Sequence, residues 1–218
     1  CTQPQQMPST VNLDKRIQQA CKIAIDQLES TRKNHDILVF LPGKKEIQNA
    51  TQQLNGFDAD VIGLSASTSP QEQKRALNQQ SRRRIILSTN VAETSLTIPN
   101  IGVVIDSGME RRTHQRNGRT VLGLDPISKA SADQRKGRAG RLFEGVCIRL
   151  WGEHAPLTDT TPPEILREEL TELVLASACN NVSINDLFFP EPLPKKSLEV
   201  ATTRLLAMNA IDTTGHAT

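Results

Sequence analysis

The chain has 218 residues, 37% of them hydrophobic and 23% charged, with 26 Lys and Arg against 24 Asp and Glu. That balance is ordinary for a soluble globular protein and excludes wholesale disorder, and the length suits one full α/β domain with a smaller appendage. Five Phe, one Trp and no Tyr are too few rings for a nucleic-acid reader that stacks successive bases, or for an aromatic-belted membrane protein.

Residues 1–14 are rich in Gln, Pro, Ser and Thr and read as a linker. Ile17, Ala20, Cys21, Ala24, Ile25 and Leu28 recur at helical spacing. The unbroken apolar run Ile37 to Leu41 predicts a strand buried on both faces of a parallel sheet, ended by Pro42-Gly43. A helix with Ile47, Ala50 and Leu54 follows, then a strand at 61–64 and a helix opening at Pro70. Further strands are expected at 85–88, 103–106 and 146–150. Strands alternating with helices predict βαβ units, that is, a doubly wound, mostly parallel α/β sheet with helices on both faces. After Trp151 the pattern turns helical. Thr161-Pro-Pro-Glu164 reads as a capping box that starts a helix with Leu166, Leu170, Leu173 and Val174 on its apolar face. A last helix carries Leu198, Ala201, Leu205 and Met208, with Asn209 as its left-handed cap. The expected division is therefore a linker over 1–14, an α/β domain over 15–155 and a small helical module over 156–218.

No apolar run approaches the roughly 20 residues of a membrane span and no signal-type segment opens the chain, so no membrane partner is expected. Cys1, Cys21, Cys147 and Cys179 are scattered, without CxxC or a histidine at ligand spacing. The expectation is no metal site within the chain, no disulfide framework, and a reducing cytoplasmic location. The first residue is Cys1 rather than Met, as in a piece of something longer.

Charge is uneven. Gly108 to Arg141 holds nine Arg and Lys against three acids, net +6, whereas Glu153 to Glu191 holds eight acids and only Arg167, net −7. A basic stretch inside an α/β domain is an electrostatic footprint for phosphate. Within it lies Gln134-Arg-Lys-Gly-Arg138-Ala-Gly-Arg141. Ser131 with Gln134 reads as a second capping box, and a helix running through the motif sets Arg138 and Arg141 on one face. Two forked, permanently charged groups suit phosphoryl oxygens. Upstream, Ser88-Thr-Asn-Val-Ala-Glu-Thr-Ser-Leu-Thr-Ile-Pro99 follows a predicted strand. Hydroxyls and an amide at the carboxyl end of a parallel strand sit where open α/β sheets bind ligands, and they grip phosphate or sugar without reading a base.

Together with Phe40-Leu-Pro-Gly-Lys-Lys-Glu-Ile47, these segments resemble motifs IV, V and VI of the DEAH-box helicases of superfamily 2. Val104 to Gly108, Pro126 to Asp133, Arg149-Leu-Trp151 and Thr161 to Arg167 extend the likeness, most closely to the bacterial HrpB type. The resemblance covers residue 15 to the end. It implies a C-terminal RecA-like domain and the start of a winged-helix module.

By that resemblance Arg138 and Arg141 are arginine fingers and Gln134 places the attacking water or touches the same phosphate. Ser95 and Thr97 lie near the nucleotide, and Gly43, Thr89 and Asn90 face the backbone of single-stranded RNA. ATP with Mg²⁺ is implied, held mainly by a first RecA-like domain that acts as partner. The chain has neither G-x-x-x-x-G-K-[ST] nor Asp-Glu-Ala-His, so alone it is expected not to hydrolyse ATP. The segment 108–127 corresponds to the family's projecting β-hairpin, with Asn117-Gly118 as its turn. Arg116 and Arg119 there either touch nucleic acid or dock on neighbouring domains. Three positions depart from the family pattern: Leu77 where an aromatic ring is common, Lys136 where Ala is common, and Pro99 where an acid is common. The rival reading is a non-catalytic RNA-binding or scaffold module on the same fold. A small-molecule enzyme would need an acid/base or nucleophile pair that the sequence does not show.

Overall fold

The computed structural model describes residues 3–30, 34–78, 81–116, 119–139, 141 and 143–218, without the side chains of residues 115, 116 and 119. Five parallel strands form one sheet in the order β2-β3-β1-β4-β7: β1 (Asp36–Phe40), β2 (Asp60–Leu64), β3 (Arg84–Ser88), β4 (Ile101–Asp106) and β7 (Val146–Arg149). Every residue of β1, β3 and β4 is buried, as continuous apolar runs require, while the outer strands β2 and β7 are only partly so. Register sets Ile37 beside Ile85 and Val103, and Phe40 beside Ser88 and Asp106.

Alternate side chains along β1 supply two cores. Ile37 and Val39 meet α1 (Leu13–Ser30) and α2 (Lys44–Gln53) through Ile17, Cys21, Ala24, Ile47 and Ala50. Leu38 and Phe40 meet the opposite layer, with Ala76 of α3 (Pro70–Leu77) and Ala92 of α4 (Val91–Thr94). Helices therefore cover both faces, the doubly wound α/β arrangement the patterning predicts. A two-stranded ribbon, β5 (Met109–Arg116) and β6 (Arg119–Pro126), leaves the sheet after β4, and α5 (Lys129–Lys136) follows it. The expected Asn117-Gly118 turn lies outside the described residues.

The residues cluster into two compact units, Cys1–Arg111 with Leu124–Thr161, and Arg112–Gly123 with Pro162–Thr218. The second has its own core, Leu170, Val174, Ala178, Ala201, Leu205 and Ile211, between α6 (Thr171–Cys179) and α7 (Lys195–Ala207). Asn209 adopts φ 51° just beyond α7, the left-handed stop expected there. Arg167 Nη1 donates to the Thr113 carbonyl (2.9 Å), fastening the middle of β5 within this unit.

Three local expectations need correction. Thr161-Pro-Pro-Glu164 does not start an α-helix: Glu164–Leu166 is a single 3₁₀ turn without a side-chain cap, and α6 begins ten residues past Thr161. The residue before a proline is pushed out of helical conformation, and the Thr161 hydroxyl donates instead to Ser128 Oγ (3.2 Å). Ser131 is not a cap either. Ser128 caps α5, its hydroxyl accepting from Ser131 N at 3.2 Å. And α5 stops at Lys136 with Gly137 as its C-cap, so Arg138 and Arg141 lie beyond the helix rather than on a shared helical face. Gly137 keeps right-handed angles (φ −61°, ψ −10°), so it follows the helix without using a glycine's conformational freedom.

The segment ahead of α1, read from composition as a linker, is tied to the first unit. Gly152 N donates to the Gln6 carbonyl (2.8 Å) and His154 N to that of Pro4 (2.7 Å). Gly108, at φ +72°, leaves room for the Pro8 ring, which a Cβ there would meet at 2.8 Å. Only glycine suits that position.

The amino ends of β1 and β3 are joined by a buried ion pair. Arg84, fully buried, donates from Nη2 and Nε to Asp36 Oδ2 (2.6 and 3.1 Å), and its backbone N donates to Oδ1 (2.8 Å). Nη1 reaches the carbonyls of Ala76 (2.8 Å) and Asn78 (2.7 Å), satisfying the C-terminal end of α3. Asp36→Ala leaves that guanidinium buried without its counter-charge and should cost about 3–5 kcal/mol, read from urea denaturation.

Burial pushes the Cys21 thiol up to about 12 and that of Cys147 up to about 11, so both stay protonated and slow at neutral pH. Cys179 is exposed. Of these three, a thiol reagent at pH 8 should label Cys179 first, and the other two only on unfolding; comparable early labelling of Cys21 would contradict the packing of α1.

Candidate functional site

The site lies at the carboxyl ends of β3 and β4, where chain leaving parallel strands is not committed to the core. From β3 the chain passes through Thr89 and Asn90 into α4, a single turn with no side-chain cap bond at its start. It continues through Ser95, Leu96 and Thr97 to Pro99. Thr89 N donates to the Leu64 carbonyl (3.1 Å), pinning the entry to the turn against β2. Asn90, Ser95 and Thr97 are exposed and Thr89 half-buried.

Three arginines of the sequence motif reach this loop, each differently. Arg135, on α5, is fully buried: Nε donates to Glu93 Oε2 (2.8 Å) and Nη1 to Asp106 Oδ1 (2.9 Å), with the guanidinium 4.9 Å over the Phe40 ring. Asp106 also accepts from Gly108 N (2.9 Å), and Ser131 Oγ donates to Glu93 Oε1 (2.5 Å). Burial pushes the Asp106 carboxyl up, against the pull of Arg135. Burial also works against the charge on Arg135, yet Asp106 and Glu93 together hold it above the ordinary arginine value.

Arg138 is buried, at 8% exposure, but not in an ion pair. Nη1 donates to the Leu96 carbonyl (2.7 Å) and Nη2 to that of Glu93. Burial and then the charge of Arg141 push its pKa down. Arg141 is exposed and donates from Nη1 to Thr97 Oγ1 (3.1 Å). Both therefore meet the Ser95–Thr97 segment, brought there by the chain turning past α5. A cleft of about 120 Å³ lies alongside, bounded by Thr97, Pro99, Arg138, Arg141 and Phe143, whose ring stacks on His35 at 3.8 Å. Gln134 is exposed on the last turn of α5. Leu77 is half-buried and packs on the core under α4.

Gly43, at the start of α2, is buried beneath Arg111: a Cβ there would come within 2.6 Å of Arg111 Nε. Arg111 Nη2 donates to Glu46 Oε1 (3.2 Å), so a cation from the base of the ribbon covers the N-terminus of α2. Arg116 and Arg119 fall on β5 and β6 by their backbone, and their side chains lie outside the described part. The described residues contain no cluster of three or more His, Cys, Asp or Glu able to hold a metal ion, and no helix among them is long and apolar enough to cross a membrane.

Sequence reasoning missed Glu93, Asp106 and the role of Arg135. By its letter Arg135 is one of nine cations in the basic stretch, with nothing local to mark it as buried. One signal was available: Asp106 ends an otherwise apolar strand, which asks for a buried cation.

A family profile described as helicase conserved C-terminal domain matches residues 15–143. The ATP-dependent RNA helicase HrpA of Escherichia coli is 40% identical over 203 residues, 89% of this chain and 16% of that protein. The ATP-dependent RNA helicase DHX33 of Drosophila melanogaster is 38% identical over 84% of this chain and 29% of its own length. Among solved structures, Escherichia coli DEAH/RHA helicase HrpB superposes with a TM-score of 0.78 at 30% identity, over 90% of this chain and 26% of that one. The chain thus spans less than a third of each.

Gly145 touches the arginine loop directly, since a Cβ there would sit 1.8 Å from the Ala139 carbonyl oxygen. Gly145→Ala should force that backbone apart and cost about 1–3 kcal/mol, seen as a lowered melting temperature, with backbone amide shifts concentrated around Arg138 and Thr97.

Proposed function

We propose, given that the chain belongs to the helicase conserved C-terminal domain family, that it is one part of an ATP-dependent RNA helicase and works with a separate RecA-like domain carrying a phosphate-binding loop. The observation that carries this reading is the convergence of Arg138 and Arg141 on the Ser95–Thr97 segment, at the carboxyl ends of the central strands. In this reading residues 15–155 form the motor domain and 156–218 a helical module of partial winged-helix type.

ATP with Mg²⁺, bound mainly by the other domain, would supply the phosphoanhydride bond whose cleavage drives the motor. The residues present suit the phosphate side of such a ligand: two guanidinia, one exposed and on the Thr97 hydroxyl, with Ser95 exposed in the same segment. Arg141 offers its remaining donors to a phosphoryl oxygen, and Arg138, kept on the carbonyls of Leu96 and Glu93, offers the N–H groups those two bonds leave over. Gln134, exposed beside them, orients water. The buried carboxylates Asp106 and Glu93 are occupied by Arg135 and take no proton from substrate.

Single-stranded RNA is gripped through its backbone by Thr89 and Asn90; the α2 start at Gly43, buried under Arg111, joins them when that side chain leaves Glu46 for the RNA, and Arg116 and Arg119 extend the basic ribbon. Short hydroxyls and amides hold every sequence alike, as a translocating motor requires.

In a polypeptide that joins this chain to its phosphate-loop domain, Arg138→Ala or Arg141→Ala should lower RNA-stimulated ATP hydrolysis by about 10³-fold or more. The 218 residues alone should show no turnover in a phosphate-release assay. Hydrolysis unchanged by either substitution, with RNA affinity intact, would favour the scaffold reading. RNA affinity should fall as salt rises, with a shallower slope in the Arg116→Ala/Arg119→Ala double variant.

A further inference from the structure

We infer that Glu93 is a positioning residue for Arg138, a latch that fixes the α4 turn so that its carbonyls hold this guanidinium in place. The inference rests on the reading of Arg138 given above and adds the residue that sets its geometry.

α4 has four residues, Val91–Thr94, and its N-cap residue Asn90 makes no side-chain cap bond. One turn of helix is too short to hold itself together, because nucleation costs more than a single turn returns. Something outside must hold it. Ala92 is buried beneath it, but an alanine methyl sets depth rather than rotation. The oriented contacts come through Glu93, whose carboxylate takes Ser131 Oγ on one oxygen and Arg135 Nε on the other, both from α5. Arg135 is itself tied to β4 through Asp106. The turn is thus referenced to both helix and sheet by one side chain, 12% exposed.

The consequence falls on Arg138, because its acceptors are the carbonyls of Glu93 itself and of Leu96, three residues on. If α4 rotates, the Glu93 carbonyl turns with it and the Leu96 carbonyl, two residues past the turn, is displaced after it. Arg138 also carries the repulsion of Arg141, so without directed acceptors the two cations separate. The network is not built for stability alone. Among the described residues, Arg135 Nη2 and Asp106 Oδ2 are buried without a hydrogen bond, although Nη2 lies 3.9 Å from Glu110 Oε2. An ion cluster that leaves buried polar atoms unmatched is costly to keep, and placing a neighbour is the return.

The first test needs no nucleotide. Side-chain ¹⁵N NMR of the 218-residue chain should show the Nη hydrogens of Arg138 as separate, slowly rotating signals, assigned by their loss in Arg138→Lys. In Glu93→Gln they should collapse to one averaged signal while the backbone spectrum keeps its dispersion. Averaged signals already in the wild type, or separate ones in the variant, overturn the latch.

The second test is a double-mutant cycle in the joined polypeptide. Glu93→Gln should lower kcat for ATP about tenfold with KM changed less than twofold. The same substitution should cost nothing further in an Arg138→Ala background, because it acts through that arginine. Equal losses in both backgrounds mean a general structural role and overturn the inference. If Glu93→Gln does not fold, Ser131→Ala removes one bond to the same carboxylate. It should lower kcat about threefold, again only when Arg138 is present; no loss, or an equal loss in both backgrounds, overturns the inference. Hydrolysis indifferent to Arg138→Ala fails the helicase reading itself, and the NMR result then still decides whether the latch exists.

Discussion

The buried guanidinium of Arg135 is the constraint on which the functional end of this molecule depends. It touches the carboxylate that ends β4, the carboxylate in the middle of α4 and the ring of Phe40. Taking it out of water is expensive, and only two acids on opposite sides make that tolerable. The geometry that results is specific. A lysine, with one point charge, cannot span Nε-to-Glu93 and Nη1-to-Asp106 together. The sheet, the one-turn helix and α5 are therefore set relative to one another by a single forked side chain.

A division of labour among the motif arginines follows from their surroundings. Arg135 has charged partners and is structural. Arg138 has only carbonyl partners, which hold it without neutralising it. Arg141 is exposed on a threonine hydroxyl. From Arg135 to Arg141 held charge grades from fully compensated to available, and availability rises toward solvent. A second buried pair, Arg84 with Asp36, does comparable work at the opposite ends of the strands, fastening β1 to β3 and closing α3. Charged groups thus frame both edges of a sheet whose middle is purely apolar.

Much of this was legible. The apolar runs at 37–41, 85–88 and 103–106 gave central strands buried throughout, because in a doubly wound sheet neither face meets water. The spacing of Ile17, Cys21 and Ala24 gave α1, and Asn209 gave the stop of α7. The motif letters marked two segments, 88–99 and 134–141, that the structure brings into contact. Misreadings cluster at helix starts. Thr161 and Ser131 carry the right letters for a capping box, yet Thr161 is followed by prolines and bonds Ser128, while Ser131 is already inside α5 and bonds Glu93. Hydroxyls near helix ends are adaptable, and their partner is chosen by whatever packs nearby.

Local pattern determined where strands and helices form, that the sheet is parallel and covered on both faces, and which stretch carries the excess of positive charge. These are properties of neighbours along the chain, set by periodicity and composition. Only the tertiary structure decided which arginine is buried, which acids meet it, and that Arg138 rests on main-chain carbonyls beyond the end of a helix. Such partnerships join residues some 30 to 45 positions apart. Their existence depends on how the strand order folds those segments together, and a carboxylate's letter says nothing of which cation will reach it.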